Sequence, residues 1–274
     1  MVTSSLPDRV ACYRHADHLR GAHCTRCGRP ICDDCMIAVP VGHQCPTCVE
    51  EGPGAPAVAP GRRERFLTLT PVVAVLIAVN VAVFLLTRAH PTWQVHYAQI
   101  PSAVAHGQVY RLFTAAFLHE NVTHLLFNMA SLLAVGPPVE RAMGRGRFLV
   151  LYLLAAVGGS VCAFVFGPAL VIGVGASGAI FGIFGAWFSL ARASRADTGV
   201  IVLLIGILLA YSFYDPRIDW RAHVGGLVTG VAVAAVMAAA AHWPRPIRLV
   251  TEAALVAAMT SFFWTLVVQR SSQL

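Results

Sequence analysis

The 274-residue chain is 57% hydrophobic and only 12% charged, against about 45–50% and about 25% for an average soluble domain. That balance excludes an ordinary soluble globular protein, and its high hydrophobicity excludes a disordered chain. The formal charge of +7 comes entirely from arginine, scattered between apolar runs rather than gathered into a patch, so nucleic acid is not an expected partner.

Met1 to Val10 is polar and lacks the apolar core of a secretory signal. Seven of the eight cysteines then fall between Cys12 and Cys48. With one histidine they form four pairs: Cys12-x-x-His15, Cys24-x-x-Cys27, Cys32-x-x-Cys35 and Cys45-x-x-Cys48. The two-residue gap lets both side chains of a knuckle reach one metal at the ~2.3 Å Zn–S distance, and two knuckles complete a tetrahedral site. Four pairs therefore make two zinc sites, each closed by four protein ligands and hence structural. Interleaved use, first pair with third and second with fourth, is favoured, and sequential use stays open. A redox or disulfide cluster is the competing reading. A module of under ~40 residues has too little core to fold without metal. His18, His23 and His43 read as surface residues, with His43 the one that could replace a cysteine ligand. Cys162, far downstream, reads as a small packing residue.

From Glu50 to Gly61 proline, glycine and alanine follow without periodicity, a flexible linker closed by Arg62, Arg63 and Arg65. Beyond it, seven apolar runs approach the ~20 residues of a transmembrane helix: 71–87, 122–143, 148–166, 175–192, 200–214, 222–241 and 247–268. Between the first two, residues 88–118 are amphipathic, with Trp93, Tyr97 and Tyr110 spaced as in a loop or short helices lying in the interface. The expectation is an all-α polytopic membrane protein: a cytoplasmic zinc-binding module (1–50), a linker (51–69), a six-helix core (70–241) and a seventh helix (242–274).

The arginines orient this bundle. With a cytoplasmic N-terminus, the inner segments hold Arg62, Arg63 and Arg65, then Arg141, Arg145 and Arg147, then Arg192 and Arg195, then Arg245 and Arg248. The outer segments hold Arg88 and Arg111, then Arg217 and Arg221, then Arg270. The bias gives an N-inside, C-outside topology. It also places the cysteines in a reducing compartment, where thiols serve metals.

Ionisable and polar residues inside a bilayer are costly and by default functional. Three segments carry them: His119 to Asn128, Gly173 to Gly182 and Ala222 to Gly230. His124 and Asn128 are four apart and share a helix face. Gly178, Gly182 and Gly185 on the fourth run, and Gly226 and Gly230 on the sixth, have the spacing that lets membrane helices touch backbone to backbone. Ser177 and His223 each begin a glycine face, so close packing would bring a hydroxyl to an imidazole, a nucleophile with its base. Taken singly, a serine beside glycine is more often a packing residue and a membrane histidine a proton relay; the combination is specific.

These residues resemble the rhomboid family of intramembrane serine proteases. The Gly-x-Ser-Gly motif stands as Gly175 to Gly178, Ala-His-x-x-Gly as Ala222 to Gly226, and His-x-x-x-x-His-x-x-x-Asn as His119, His124 and Asn128. Gly136, Glu140, Arg141 and Gly144 match Gly-x-x-x-Glu-Arg-x-x-Gly, and Tyr110-Arg111 the aromatic-Arg pair of the first loop. The resemblance implies Ser177 as nucleophile and His223 as general base, a dyad without an acid. It implies an oxyanion hole from His124, Asn128 and the Ser177 backbone N–H, with Gly175 letting the substrate approach. His119, Tyr110, Arg111, Glu140 and Arg141 would be structural. Where many relatives stack a tyrosine on the histidine, this chain has Phe181, and its seventh helix makes it a six-plus-one member. The zinc module resembles arrangements in bacterial, particularly actinobacterial, relatives. The implied activity is cleavage of transmembrane segments of single-pass proteins near the outer face of a bacterial plasma membrane, with no cofactor needed for catalysis. The module would recruit or regulate through a cytoplasmic partner. An inactive rhomboid-like protein that binds membrane clients, and a transporter using the histidines as a relay, are the competing readings.

Overall fold

A computed structural model of the chain describes residues 11–18, 22–39, 42–50, 69–194, 196–215 and 217–274. Apart from Leu69, the expected linker at 51–69 lies outside the described residues, as do the first ten residues and Arg195.

The N-terminal module is built from two antiparallel ribbons, β1 (Ala22–His23) with β2 (Pro30–Ile31) and β3 (Ile37–Ala38) with β4 (His43–Gln44), followed by α1 (Pro46–Glu50). Its buried cluster consists of six cysteines and Ile31. One buried aliphatic side chain is far too little apolar surface to offset the entropy of ordering such a module, so what the cysteines hold decides whether it folds.

The helical body contains α2 (Pro71–Ala89), α3 (Pro91–Tyr97), α4 (Pro101–Ala105), α5 (Arg111–Thr114), α6 (Val122–Met143), α7 (Arg145–Phe166), α8 (Ser177–Ala193), α9 (Gly199–Tyr214), α10 (Trp220–Ala240) and α11 (Arg245–Ser271). Prolines open α2, α3 and α4, where the missing N–H costs nothing and the fixed φ suits the first turn. Each of the seven apolar runs forms a helix, and 88–118 forms the short helices α3 to α5. Among the described residues, α2, α6, α7, α10 and α11 are long and apolar enough to cross a membrane. This is a multi-pass membrane protein. At ~1.5 Å per residue the 17-residue α8 and 16-residue α9 reach only about 25 Å of a ~30 Å hydrocarbon core.

Helix α7 forms the centre: Phe148, Leu151, Tyr152 and Phe164 are completely buried. Helix α10 lies against both α7 and α8 along glycines: its contact with α8 is backbone on backbone, while on the α7 side Gly225 and Gly158 leave room for the Cys162 and Thr229 side chains. A Cβ at Gly226 would collide with the Gly178 backbone, and one at Gly230 with that of Gly182. On the other side, a Cβ at Gly225 would stand 2.7 Å from the Gly158 carbonyl oxygen. The paired positions rise together along α8 and α10, so these two helices run parallel, while α7 and α10 are antiparallel. Without Cβ atoms the backbones meet directly, the arrangement that dispersion favours where lipid removes the hydrophobic drive.

Two further ties fix the frame. Glu140, near the end of α6, accepts hydrogen bonds from Thr70 Oγ1 (2.5 Å), Val72 N (3.1 Å) and Val73 N (2.9 Å). A carboxylate from another helix thus satisfies the exposed N–H groups and the positive end of α2. The seventh helix, α11, joins α7 through Arg147 Nε and Glu252 Oε1 at 2.7 Å, and seats Phe263 and Val267 among Val104, Leu112, Val161 and Phe164.

Replacing Gly230 by alanine should cost about 1–3 kcal/mol, because its Cβ meets helix backbone that cannot move aside. Gly206, on α9, faces open space, so Gly206→Ala should not lower stability. Thermal unfolding in detergent compares the two; equal midpoints would refute the close-contact reading.

Candidate functional site

The N-terminal ends of α6, α8 and α10 converge, and each start is set locally. Asn121 caps α6, its side chain accepting from His124 N at 2.9 Å. Asp219 caps α10 by accepting from Arg221 N at 3.0 Å. The chain enters α8 through Gly175, whose φ of 129° favours glycine. Gly175 N donates to Ala115 O at 2.9 Å, and Gln99 and Gly173 exchange backbone hydrogen bonds of 3.0 and 2.8 Å. The irregular segment before Ser177 is thereby tied to the loop between α2 and α6.

At this junction His223 Nε2 lies 2.8 Å from Ser177 Oγ. The Phe181 ring stacks on the imidazole, centroids 4.3 Å apart and planes 18° from parallel. On its other side, His223 Nδ1 is 2.6 Å from Ser212 Oγ of α9. His223 and Ser212 are both buried. A Cβ at Gly175 would sit 2.8 Å from His124 Nε2 and 3.7 Å from Ser177 Oγ, so the His124 ring stands beside the hydroxyl. Asn128 is buried one turn further along α6 and donates its amide Nδ2 to the His124 carbonyl at 3.0 Å. His119 is buried with its ring edge-on to His124, centroids 5.2 Å apart. Ser177 is the first residue of α8, where backbone N–H groups lack intrahelical acceptors and the helix dipole is positive. Such an arrangement can move a proton from a hydroxyl to an imidazole and receive developing negative charge.

The family model for the Rhomboid domain matches residues 106–240, the stretch holding His119, His124, Asn128, Ser177, Ser212 and His223. The putative rhomboid protease YdcA of Bacillus subtilis is 33% identical over 176 residues, covering 61% of this chain and 88% of that protein. The chain belongs to the rhomboid family. The rhomboid protease GluP of the same organism is 38% identical over 169 residues, and RHOMBOID-like protein 1 of Arabidopsis thaliana 38% over 137. The chain spans about a third of the length of those two, 33% and 35%, and 60% and 47% of it is covered.

Within this rhomboid body Arg111 pins the first loop. Its Nε donates to Gln108 Oε1 at 2.7 Å, and its Nη1 to the carbonyls of Val95 and Ala98 at 2.7 Å each. Its guanidinium also stands 5.6 Å from the Tyr110 ring centroid. Sequence reasoning missed Ser212. Its signal was a hydroxyl in the last turn of an otherwise apolar run, the kind of intramembrane polar group that calls for a partner. Gln99, which also donates Nε2 to the Ser160 carbonyl at 2.8 Å, was missed too and carried no motif.

In the N-terminal module the four pairs converge as two clusters: Cys12, His15, Cys32 and Cys35, and Cys24, Cys27, Cys45 and Cys48. The ligand atoms of each lie within 4.8 Å of one another. The pairs are therefore interleaved, first with third and second with fourth. A tetrahedron with ~2.3 Å metal–sulfur bonds has edges of about 3.7 Å. Cys27 and Cys45 Sγ are 3.7 Å apart, and His15 Nδ1 is 3.3 and 3.5 Å from Cys32 and Cys35 Sγ. Burial alone pushes the Cys12 and Cys24 thiols up. Backbone N–H donors outweigh it, from Arg14, Cys32 and His15 for Cys12 and from Cys27, Cys45 and Arg26 for Cys24, and bring both to about 6. Cys27, Cys35 and Cys48 are pushed up instead, by burial first and then by the neighbouring cysteines, as expected where like ligands crowd one site; both clusters could hold a metal ion. His43 is not in either cluster; its carbonyl accepts from Thr25.

Arg111→Lys keeps the charge but loses the planar fork that reaches three acceptors at once. It should destabilise the body by about 1–3 kcal/mol, read as a lowered thermal midpoint in detergent; an unchanged midpoint would show the loop is held elsewhere.

Proposed function

We infer that this chain is an intramembrane serine endopeptidase in which Ser177 attacks a peptide carbonyl and His223 takes its proton. Rhomboid membership supports intramembrane proteolysis in general. The observation that carries the specific reading is the 2.8 Å contact between Ser177 Oγ and His223 Nε2 in a buried site at helix ends. In the acylation step the Oγ–carbon bond forms while the proton passes to Nε2. The oxyanion is received by the Ser177 N–H, His124 and Asn128. Asn128 has a second amide hydrogen for this, since its Nδ2 donates to the His124 carbonyl with one. His223 then protonates the leaving amine, and water resolves the acyl-enzyme by the same steps in reverse. The irregular segment before α8 is tolerable at membrane depth where it borders a water-filled cavity, which hydrolysis needs. His119, Arg111, Glu140 and Arg141 hold the frame rather than act in the reaction. The substrates are transmembrane segments of single-pass membrane proteins, cut near the outer face. The arginine distribution supports a cytoplasmic N-terminus and an outer C-terminus in a bacterial plasma membrane. Intact Ser177 and His223 weigh against an inactive client-binding protein.

Ser177→Ala and His223→Ala should each abolish cleavage of a transmembrane substrate in detergent or proteoliposomes, and the double variant should be little worse, because the pair acts as a unit. Removing a single oxyanion donor, His124→Ala or Asn128→Ala, should leave measurable activity, down by about 10²–10³ in kcat. Full turnover by purified Ser177→Ala would sink the assignment.

The two cysteine clusters fit zinc in number, spacing and donor type, and closed four-ligand sites are structural. The module is a separate attachment that recruits or regulates through a cytoplasmic partner. Elemental analysis should find two zinc ions per chain, and Cys24→Ser should release about one of them. A chain beginning near Arg62 should still cleave substrate. Complete loss of activity in such a folded, shortened chain would make the module part of the enzyme.

A further inference from the structure

We propose that Ser212 is the positioning residue of His223: it fixes the imidazole with its proton on Nδ1, leaving the Nε2 lone pair for Ser177. The inference rests on His223 being the base for Ser177.

The hydroxyl of Ser212 has one hydrogen and two lone pairs. Its Oγ lies 2.7 Å from the Leu208 carbonyl oxygen, one turn back on α9. Two acceptor oxygens at that separation need a hydrogen between them, and Ser212 alone can supply it, since a carbonyl has none. The single proton is thereby committed. The contact at 2.6 Å between Ser212 Oγ and His223 Nδ1 can then be made only if the imidazole donates and the hydroxyl accepts. A neutral imidazole carries one N–H, so Nε2 is left as the acceptor facing Ser177 Oγ at 2.8 Å. The opposite tautomer would point Nε2–H at the nucleophile, unable to take its proton. It would also set the bare Nδ1 lone pair against an oxygen whose hydrogen is already used.

Three features make this arrangement more than one incidental hydrogen bond. Ser212 is one of only two buried residues on α9, the other being Ile201 near the opposite end. Its side chain reaches α10 in addition to its own helix, unlike Thr251, Thr260 and Thr265 of α11, which bond only carbonyls of α11. The Phe181 ring, stacked at 4.3 Å, blocks one face of the imidazole. The ring is therefore held in its plane by Phe181 and in its rotation by Ser212. When His223 gains the second proton, the Nδ1–H bond to Ser212 persists, so the imidazolium stays aligned to return its proton to the leaving amine. The acceptor is neutral, so the group orients the base without supplying the charge that a carboxylate would.

The test combines turnover, active-site labelling and a direct view of the ring. A positioned general base supplies about 10²–10⁴-fold, of which misorientation should forfeit a part. Ser212→Ala should therefore lower kcat by about tenfold with KM within about twofold. The rate of Ser177 labelling by a fluorophosphonate should fall by the same factor, because that reaction also needs the base and makes few of the substrate's contacts. Ser212→Thr, which keeps the hydroxyl, should restore most of both. In ¹⁵N-histidine-labelled protein, the signals that vanish in His223→Ala should report Nδ1 protonated and Nε2 bare, and Ser212→Ala should lose that single tautomer. If Ser212→Ala does not purify folded, Ser212→Cys, of similar size and with a weaker acceptor, gives the same comparison. A kcat for folded Ser212→Ala within twofold of wild type overturns the proposal. So does a wild-type His223 protonated on Nε2. Wild-type protein without Ser177-dependent turnover would overturn the protease reading instead, and the ¹⁵N measurement would still decide the role of Ser212.

Discussion

Helices α8 and α10 approach each other more closely than any side chain would allow. A methyl group at Gly226 or Gly230 would overlap the carbonyl groups of Gly178 and Gly182, and the helices would have to move apart by roughly the thickness of that methyl. Ser177 and His223 sit where α8 and α10 begin, at the N-terminal end of this same contact, so their 2.8 Å separation is inherited from it. Hydrogen bonds of this kind rarely exceed about 3.2 Å, and moving the backbones apart by about half an ångström would stretch the pair past that range. Helix α7 enforces the contact from behind, since Gly159 meets the Ala222 carbonyl and Gly182 meets Ala155. The contact between Ser177 and His223 thus depends on atoms that are missing, on three helices at once.

The treatment of polar groups inside the body follows a rule that the site breaks. Asn80, Thr87 and Thr229 give their hydrogens to carbonyls three or four residues earlier on their own helices, the cheapest way to bury a donor in an apolar medium. Ser177 and His223 bond across helices instead, and Ser212 adds to its bond with the Leu208 carbonyl a second one that reaches His223 on α10. Such bonds fix positions between elements, at the cost of needing all three helices in register. Glu140 and Arg111 do the same work at the margins, one closing the start of α2 and the other the loop beside the site.

Much of this was legible in the chain. The seven apolar runs announced seven helices because nothing but a helix satisfies the backbone in lipid, and the glycine spacing announced which of them touch. The Cys-x-x-Cys spacing showed that two clusters would form, and the ribbon geometry settled that they interleave. Less legible was anything carried by the backbone or by a lone polar side chain. Gln99 works through its own main chain and an amide in no motif. Ser212 is a hydroxyl of the kind that usually bonds its own helix, which it also does; only the placement of α10 shows the second contact. The lengths of α8 and α9 were legible to within two residues at each end, since the runs 175–192 and 200–214 became Ser177–Ala193 and Gly199–Tyr214.

Helix α9 presents most of its side chains outward, with Ile201 and Ser212 as its two buried residues and Ile205 and Leu208 partly covered. Its outward positions need only be apolar, and leucine, isoleucine, valine and phenylalanine are nearly interchangeable against lipid tails. The sequence of α9 therefore stores little information for its length. Substitution along it should accumulate freely over evolutionary time, in a helix whose neighbours on α8 and α10 admit almost none at their glycines. A drifting segment with one or two fixed points is also an easy place for a lineage to change the surface that the bundle presents to its surroundings, without disturbing the contact between Ser177 and His223.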